Sequence, residues 1–274
     1  MTDGLTIRRA LEGSGLVPLD AQVLLVHAMG RDRTWLAAHV SDMLPRAEAE
    51  AFFALAKRRR DGEPIAYLTG VREFWGLSLA VSPAVLIPRP ETETLVELAL
   101  SHLPEDRDHA VLDLGTGSGA IALAIGHERP RARVIATDVS ADALAVARAN
   151  ADRLRILNVE CVRSDWYDSL PPSRFDLIAA NPPYVAPQDP HLGDGDLRFE
   201  PRSALTPGGD GLDALRIIVG GARAFLVPGG TLVVEHGYEQ SDAVRALFAA
   251  AGFAGIVATR DLAGISRVVA GRAP

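Results

Sequence analysis

Cysteine is almost absent from this chain. Cys161 is the only one among 274 residues, which excludes an internal disulfide and a cysteine-rich zinc site. The bland role of a small apolar residue in a strand suffices for it. Lysine is just as scarce: Lys57 stands alone and every other basic residue is arginine, spread so evenly that codon bias explains it better than a dedicated site. No apolar run reaches the ~20 residues that cross a bilayer. The opening stretch MTDGLTIRRALEGSG has acidic residues and no long apolar centre, so no signal peptide is expected. The seven histidines are scattered, with no pair at metal-ligand spacing, and neither a metal site nor a histidine base is expected. Together these absences point to a cytoplasmic protein with no membrane partner. The net charge of −7 argues against bulk attraction to nucleic acid, and no direct nucleic-acid partner is expected. The acidity is uneven: residues 1–90 hold 11 basic and 10 acidic residues, and the remainder 17 and 25.

What is present is enough for a compact globule. Hydrophobic residues make up 48% of the chain, and its length fits two domains at ~150 residues each. Residues 1–70 read as a bundle of short helices. LDAQVLLVHAMG carries apolar residues on one helical face and ends on Gly30, a plausible C-cap; RAEAEAFFALAKRRRDG ends on Gly62 in the same way. The basic run of residues 57–60 in the latter is either a solvated helix face or a contact for the acidic surface of a protein partner, or for RNA near it. Over residues 71–90, EFWGLSLAV alternates apolar and polar positions, and Pro83, Pro88 and Pro90 forbid a helix. A β-hairpin acting as a linker fits this stretch. ETETLVELALSHL returns to helix. From about residue 109, seven strands alternate with helices, so residues 91–274 should form a mostly parallel seven-stranded sheet covered on both faces. The last two strands are joined so tightly that an antiparallel pair at one edge is expected.

Strand, glycine loop and helix follow one another in VLDLGTGSGAIA, where Gly115, Gly117 and Gly119 alternate with Thr116 and Ser118. Ala120 takes the last glycine's place in the dinucleotide fingerprint, which its looser form allows, so spacing alone does not exclude NAD. Asp113, two residues before the first glycine, tips the balance: it would repel a pyrophosphate but hold a cationic amine. S-adenosylmethionine carries an ammonium and a sulfonium and is the expected cofactor. Asp138, at the end of VIATD, can accept hydrogen bonds from both ribose hydroxyls. In SDWYDSL, after the third strand, Asp165 can meet the adenine amine and Trp166 can pack on its ring.

The fourth strand ends at NPPY. Pro182 and Pro183 have fixed φ and no N–H, so the turn is stiff and its carbonyls can accept from a ligand. Asn181 adds a side-chain carbonyl, and Tyr184 can lie flat on a planar group. Two acceptors at a fixed separation can hold both hydrogens of an –NH2 group. That matters because an amide nitrogen is a poor nucleophile, its lone pair being delocalised. Drawing both N–H bonds out of plane localises the lone pair and stabilises the positive charge that develops.

LDLGTGSG, TDVS, NPPY, GEPIAYLTGVREFWGL, VLIPRPETE and FEPRSALTPGGDGLDALR together resemble the bacterial PrmC (HemK) protein-glutamine methyltransferases, over nearly the whole chain. NPPY alone is shared with DNA adenine-amine methyltransferases; IPRPETE and the EP…AL…GGDGL element are far more specific. The resemblance implies the class I S-adenosylmethionine-dependent methyltransferase fold with a small helical N-terminal domain that helps bind substrate. It implies methyl transfer to the glutamine of the Gly-Gly-Gln motif in class I peptide-chain release factors. Gly115 to Gly119, Asp138, Trp166 and Asn181 would contact the cofactor and Asn181 to Tyr184 the glutamine, with Arg89 and Glu91 shaping the acceptor pocket. Departures are small: Phe199 replaces a frequent tyrosine and Leu215 a frequent aromatic. Glutamine methylation of a ribosomal protein is the near alternative. DNA adenine methylation is a remoter one, because the catalytic part is acidic and the extra domain small.

Overall fold

The computed structural model describes residues 4–170, 173–193 and 195–274. The chain divides into two compact units, Met1–Val71 and Arg72–Pro274.

The first unit contains helices α1 (Ile7–Gly13), α2 (Pro18–Met29), α3 (Arg33–Ala38), α4 (Arg46–Arg60) and α5 (Ile65–Thr69). Local chemistry sets their ends. The Thr6 side chain accepts from Arg9 N and the Asp32 side chain from Trp35 N, capping α1 and α3. Proline opens α2, where its missing N–H costs nothing, and Gly30 closes it at φ 61°. Ile7, Leu24, Leu25 and Phe52 are fully buried at the centre of the bundle. The basic run lies in the last turn of α4, where cations favour the helix dipole. Three of its arginines are engaged within the unit: Arg58 with Glu63, Arg59 with Asp20, and Arg60 with the Ser14 carbonyl.

At the start of the second unit stands a two-stranded hairpin, β1 (Val71–Phe74), whose first residue ends the first unit, and β2 (Leu77–Ala80). Trp75 and Gly76 turn it with φ of 53° and 69°, two positive values in succession as a two-residue hairpin turn requires. The strain at Trp75 is held down by Glu93, which accepts from its backbone N–H at 2.9 Å. The sequence suggested that residues 71–90 form a linker; instead the hairpin belongs to the second unit, with Phe74, Leu77 and Leu79 in its core.

A 3₁₀ turn (Pro90–Thr92) leads into α6 (Glu93–Ser101). Then come β3 (Ala110–Leu114), α7 (Ala120–Glu128), β4 (Arg133–Asp138), α8 (Ala141–Leu154), β5 (Val159–Arg163) and β6 (Phe175–Ala180). Short 3₁₀ turns and α9 (Arg202–Leu205) follow, then α10 (Asp213–Phe225), β7 (Leu226–Glu235), α11 (Ser241–Ala250), β8 (Ala254–Arg260) and β9 (Ser266–Arg272). The sheet order is β5-β4-β3-β6-β7-β9-β8. Its first five strands are parallel and β9 is antiparallel to both neighbours, which realises the expected edge pair with β9 inserted beside β7. Two apolar clusters, one on each face, fill the spaces between sheet and helices. No helix among the described residues is long and apolar enough to cross a membrane.

Candidate active site

Strand register assembles the site. Leu114, the last residue of β3, pairs with Ala180, the last of β6, and Ala180 pairs in turn with Val234 of β7. Asp138 ends β4 opposite Arg163, the end of β5. The glycine loop, Asp138, the SDWYD loop and NPPY therefore leave the sheet on one rim, at the carboxyl ends of the strands. The chain runs outward from β3 through β4 and β5, then returns to β6 on the other side of β3. Open α/β sheets bind ligands at such a reversal. A cavity of about 260 Å³ opens there, bounded by the glycine loop, Asp138 to Ser140, Ser164 to Trp166, Asn181, Pro183, Ala84 to Leu86 with Pro88 and Arg89, and Pro201 with Ser203 and Ala204.

The glycine loop takes its shape from left-handed backbone at all three glycines, with φ of 74°, 55° and 86° at Gly115, Gly117 and Gly119. A Cβ at Gly119 would also lie 2.9 Å from Leu123 Cδ1 and 3.3 Å from Ala147 Cβ, so the third glycine lets α7 and α8 pack closely. Four of the five N–H groups from Gly115 to Gly119 are engaged inside the protein. Gly115 and Thr116 donate to the Thr137 carbonyl, Gly119 to the Thr116 carbonyl, and Gly117 to Asp138 Oδ2 at 3.0 Å. A loop built this way has few donors for a phosphate; it offers carbonyls and carboxylates, which suit a cation.

Asp113 lies behind that loop rather than in the cavity. It is fully buried; Oδ2 accepts from Thr116 Oγ1 at 2.6 Å and from Ala122 N at 3.2 Å, and Oδ1 has no hydrogen-bond partner. Burial lifts its pKa to about 7 against the pull of those two donors. Its direct part is to tie the glycine loop to the first turn of α7. Asp138 bridges two N–H groups, Gly117 on one oxygen and Ser140 on the other at 2.9 Å. Each oxygen keeps a lone pair for further donors. Trp166 has φ 46°, and its ring would sit 3.6 Å from a Cβ at Gly115. The ring thus closes one wall over the first glycine, with Asp165 beside it on the cavity lining.

At NPPY the Asn181 Nδ2 donates to Thr92 Oγ1 at 3.1 Å. The amide nitrogen is thereby held, and the carbonyl Oδ1 is the atom left to meet a ligand. Pro183 lines the cavity and Pro182 is buried behind it. Tyr184 does not line the cavity: its hydroxyl donates to Glu235 Oε1 at 3.0 Å and its ring packs against the core under the sheet. Burial and the adjacent Glu235 carboxylate raise the phenol's pKa, so the proton stays on oxygen. Gln240 locks the back of the turn, donating to the Tyr184 carbonyl at 3.0 Å and accepting from Gly237 N at 2.9 Å. Gly211 approaches the same carbonyl so closely that a Cβ would lie 2.6 Å from it, which accounts for a glycine in GGDGL. On the opposite wall, Arg89 pairs with Glu200 at 2.5 Å, and Glu200 also accepts from Ile87 N at 3.1 Å. Glu200 is buried; desolvation raises its pKa and Arg89 and the Ile87 N–H oppose the rise.

Residues 92–251 match the family described as methyltransferase small domain, and residues 6–70 match the PrmC N-terminal domain. The release factor glutamine methyltransferase of Bordetella pertussis is 52% identical over 266 residues, covering 97% of this chain and 98% of the relative. The chain belongs to the PrmC/HemK family. The release factor glutamine methyltransferase of Xylella fastidiosa (strain 9a5c) is 54% identical over 256 residues, 93% of each chain. The crystal structure of a methyltransferase from Pyrococcus furiosus superposes with a TM-score of 0.55 at 19% identity, covering 79% of this chain and 96% of that one. The α/β unit has the class I methyltransferase fold.

Within this PrmC/HemK chain, the cavity gathers Gly115, Thr116, Gly117, Ser118, Asp138, Asp165, Trp166, Asn181, Pro183 and Arg89. It does not gather Asp113, Gly119, Pro182, Tyr184 or Glu91; Glu91 is exposed. Sequence reasoning missed three residues that hold the site together. Thr92 sits inside the quoted RPETE stretch between two acidic residues that drew the attention. Glu200 sits inside FEPRSAL. Glu235 had a legible signal: it is a carboxylate closing the apolar strand TLVVE. No group of histidine, cysteine, aspartate and glutamate among the described residues could hold a metal ion.

Proposed function

We propose that the protein transfers a methyl group from S-adenosylmethionine to the side-chain amide nitrogen of a glutamine, the one in the Gly-Gly-Gln motif of class I peptide-chain release factors. The observation that carries this reading is the Asn181 amide. Its nitrogen is tied to Thr92, so it meets a ligand with a carbonyl oxygen, the group that can accept from a carboxamide NH2. Next to it lies a glycine loop whose N–H groups are largely engaged. The residues fit S-adenosylmethionine: loop carbonyls for the ammonium, Asp138 for the ribose hydroxyls, and Asp165 with Trp166 for the adenine. When bound, the cofactor supplies an electrophilic methyl group on its sulfonium.

The chain's own residues do the rest. Asn181 Oδ1 and a carbonyl of the rigid Pro182–Pro183 turn accept the two amide hydrogens, which fixes the nitrogen in position and withdraws its lone pair from the π system. The same oxygens stabilise positive charge growing on nitrogen, an interaction stronger in the transition state than in the ground state, and one of the two amide protons is released to solvent to leave the neutral N-methyl amide. Holding acceptor and methyl donor in one cavity adds the advantage of proximity. Tyr184 holds the turn in place through Glu235. The helical unit, matched by the PrmC N-terminal domain, contributes to recognition of the protein substrate, and a cytoplasmic location follows from that substrate.

The test is a transfer assay with labelled S-adenosylmethionine, the purified protein, a release factor from the same organism, and its Gln→Ala variant at the Gly-Gly-Gln glutamine. Label on the wild-type factor alone is the expected result. Label on neither, with cofactor binding intact, overturns the assigned substrate and turns the search to ribosomal proteins, then to DNA.

A further inference from the structure

We infer that Gln240 is a positioning residue for the methyl acceptor: its side-chain amide ties the exit of the NPPY turn to the GGDGL stretch and to the loop after β7, and so holds the carbonyls that the acceptor amide meets. The inference deepens the reading above and rests on the NPPY turn as the seat of that amide.

Gln240 stands immediately before α11, yet its side chain makes no capping bond to that helix. It turns back to the acceptor turn instead. Nε2 donates to the Tyr184 carbonyl at 3.0 Å and lies 3.5 Å from the Gly211 carbonyl, and Oε1 accepts from Gly237 N at 2.9 Å. These partners lie 56, 29 and 3 positions away in the chain, so one side chain joins three loops. A carboxamide offers two donors and an acceptor without charge, which is what two carbonyls and one N–H require. Methionine has the length and none of these groups; ionised glutamate has acceptors alone.

The turn gives this junction its meaning. The peptide between Tyr184 and Val185 is held on both edges: its carbonyl by Gln240, and its N–H by the Leu205 carbonyl at 2.9 Å. At the other end Asn181 Nδ2 is tied to Thr92, and between them Pro182 and Pro183 have fixed φ. With its entrance held at Asn181 and its exit at Gln240, the turn has little freedom left to swing its proline carbonyls. The GGDGL stretch is shaped for the same contact. Arg216 grips Asp210 through two nitrogens, at 2.8 and 2.5 Å, and Asp213 at 2.8 Å, which stiffens the stretch from outside. A Cβ at Gly211 would lie 2.6 Å from the Tyr184 carbonyl and 3.0 Å from Gln240 Nε2, so this glycine makes room for the bond that the glutamine forms. Gly208 to Leu212 thereby gain a part in the reaction although none of them lines the cavity.

The experiment compares Gln240→Met and Gln240→Glu with the wild type in single-turnover transfer to a release factor, with cofactor affinity measured by calorimetry. Gln240→Met loses every side-chain hydrogen bond at constant length; Gln240→Glu keeps the acceptor for Gly237 N and loses the donors. Each should slow transfer by about tenfold or more, as a small misplacement of reacting groups does, while cofactor affinity changes less than about twofold. Gly229→Ala, whose added Cβ meets nothing within 4 Å, controls for lost stability alone. Rates for both Gln240 variants within about twofold of wild type, or losses matched by Gly229→Ala, would overturn the inference. Gln240→Met/Gly211→Ala should lose less than the product of its single losses, because both disturb one junction; fully multiplicative losses count against it. If Gln240→Met does not fold, Gln240→Glu is read in its place. A readout without any acceptor separates this from the substrate assignment: hydrogen exchange of the Val185 amide, followed by NMR in the cofactor-bound protein. It should quicken by about tenfold or more in Gln240→Met while the amides of β3 keep their protection. An unchanged Val185 amide, or a rise shared by β3, sinks the inference whether or not the wild type labels a release factor. A quickened Val185 amide in a protein that labels no release factor supports the junction and removes the substrate assignment instead.

Discussion

Leu114 and Ala180 are Cα partners on adjacent parallel strands, each the last residue of its strand. That single rung places the glycine loop beside the NPPY turn, which on the proposed reading hold the methyl donor and the methyl acceptor, although 66 positions separate the two residues in the chain. Both therefore report on one event, and their substitutions should separate by which step they impair.

Asn181→Ala should reduce the single-turnover transfer rate by ~100-fold, in the range for losing one preorganised transition-state partner. Cofactor affinity should change only a few-fold. Rapid-quench transfer and calorimetry together check this; an unchanged rate removes Asn181 from the chemistry.

Gly211→Ala and Gly229→Ala form an informative pair. Both positions have positive φ, 84° and 78°, so backbone strain alone should cost each alanine about 1 kcal/mol of stability, with the closer packing at Gly211 adding to the loss there. A Cβ at Gly229 meets nothing within 4 Å, whereas one at Gly211 lies 2.6 Å from the Tyr184 carbonyl. Transfer should therefore fall in Gly211→Ala and stay near wild type in Gly229→Ala, measured on samples of confirmed fold.

Removing Arg89 strands a buried partner. Glu200 has a fully covered side chain and Arg89 is 29% exposed. Arg89→Met should destabilise the protein by about 3 kcal/mol, reduced somewhat by the water that reaches Arg89, and Arg89→Met/Glu200→Gln should recover part of the loss. Urea unfolding of the double-mutant cycle measures the coupling; a coupling near zero would mean that the pair does not clamp the wall of the cavity.

The pH dependence of stability carries a definite sign. Burial raises Asp113 and Glu235 to about 7, so the folded chain holds their protons more tightly than the unfolded chain does. Their contribution to stability is complete below the ordinary carboxylate range and is lost as pH rises through about 7. The groups facing Glu235 are Thr92, Tyr184, Arg267 and Glu91; those facing Asp113 are Thr116, the Ala122 N–H and Asp138. Glu235→Gln should gain on the wild type by ~3 kcal/mol at most between roughly pH 5 and pH 8. Denaturant melts of both proteins across this range test it.

Much of this architecture was legible in the residues. The period-two and helical patterns, with glycine and proline at their ends, announced the alternating strands and helices, the edge pair and the helical unit. Rigid or glycine-rich loops following strands announced the site's rim, because in such sheets position after a strand is position in space. Partners were not legible. Asn181 and Thr92 are 89 positions apart, and nothing in either neighbourhood marks the other. The direction of Tyr184 was misjudged for the same reason: its acceptor, Glu235, lies 51 positions on. The hairpin at residues 71–80 read as a linker because its burial depends on Asn150 of α8, which binds both the N–H and the carbonyl of Ala80 and also reaches the Ser118 carbonyl.

The inward-turned N–H groups of the glycine loop have a metabolic consequence. A cell is rich in other adenosine compounds, ATP above all, and these share the half of the ligand that Asp138, Asp165 and Trp166 would recognise. Their triphosphate would enter where Gly115, Thr116, Gly117 and Gly119 have already committed their hydrogens and where a carboxylate stands at Asp138. On the proposed reading, discrimination among abundant adenosine metabolites would rest on the loop's internal hydrogen bonding and would operate before any acceptor arrives.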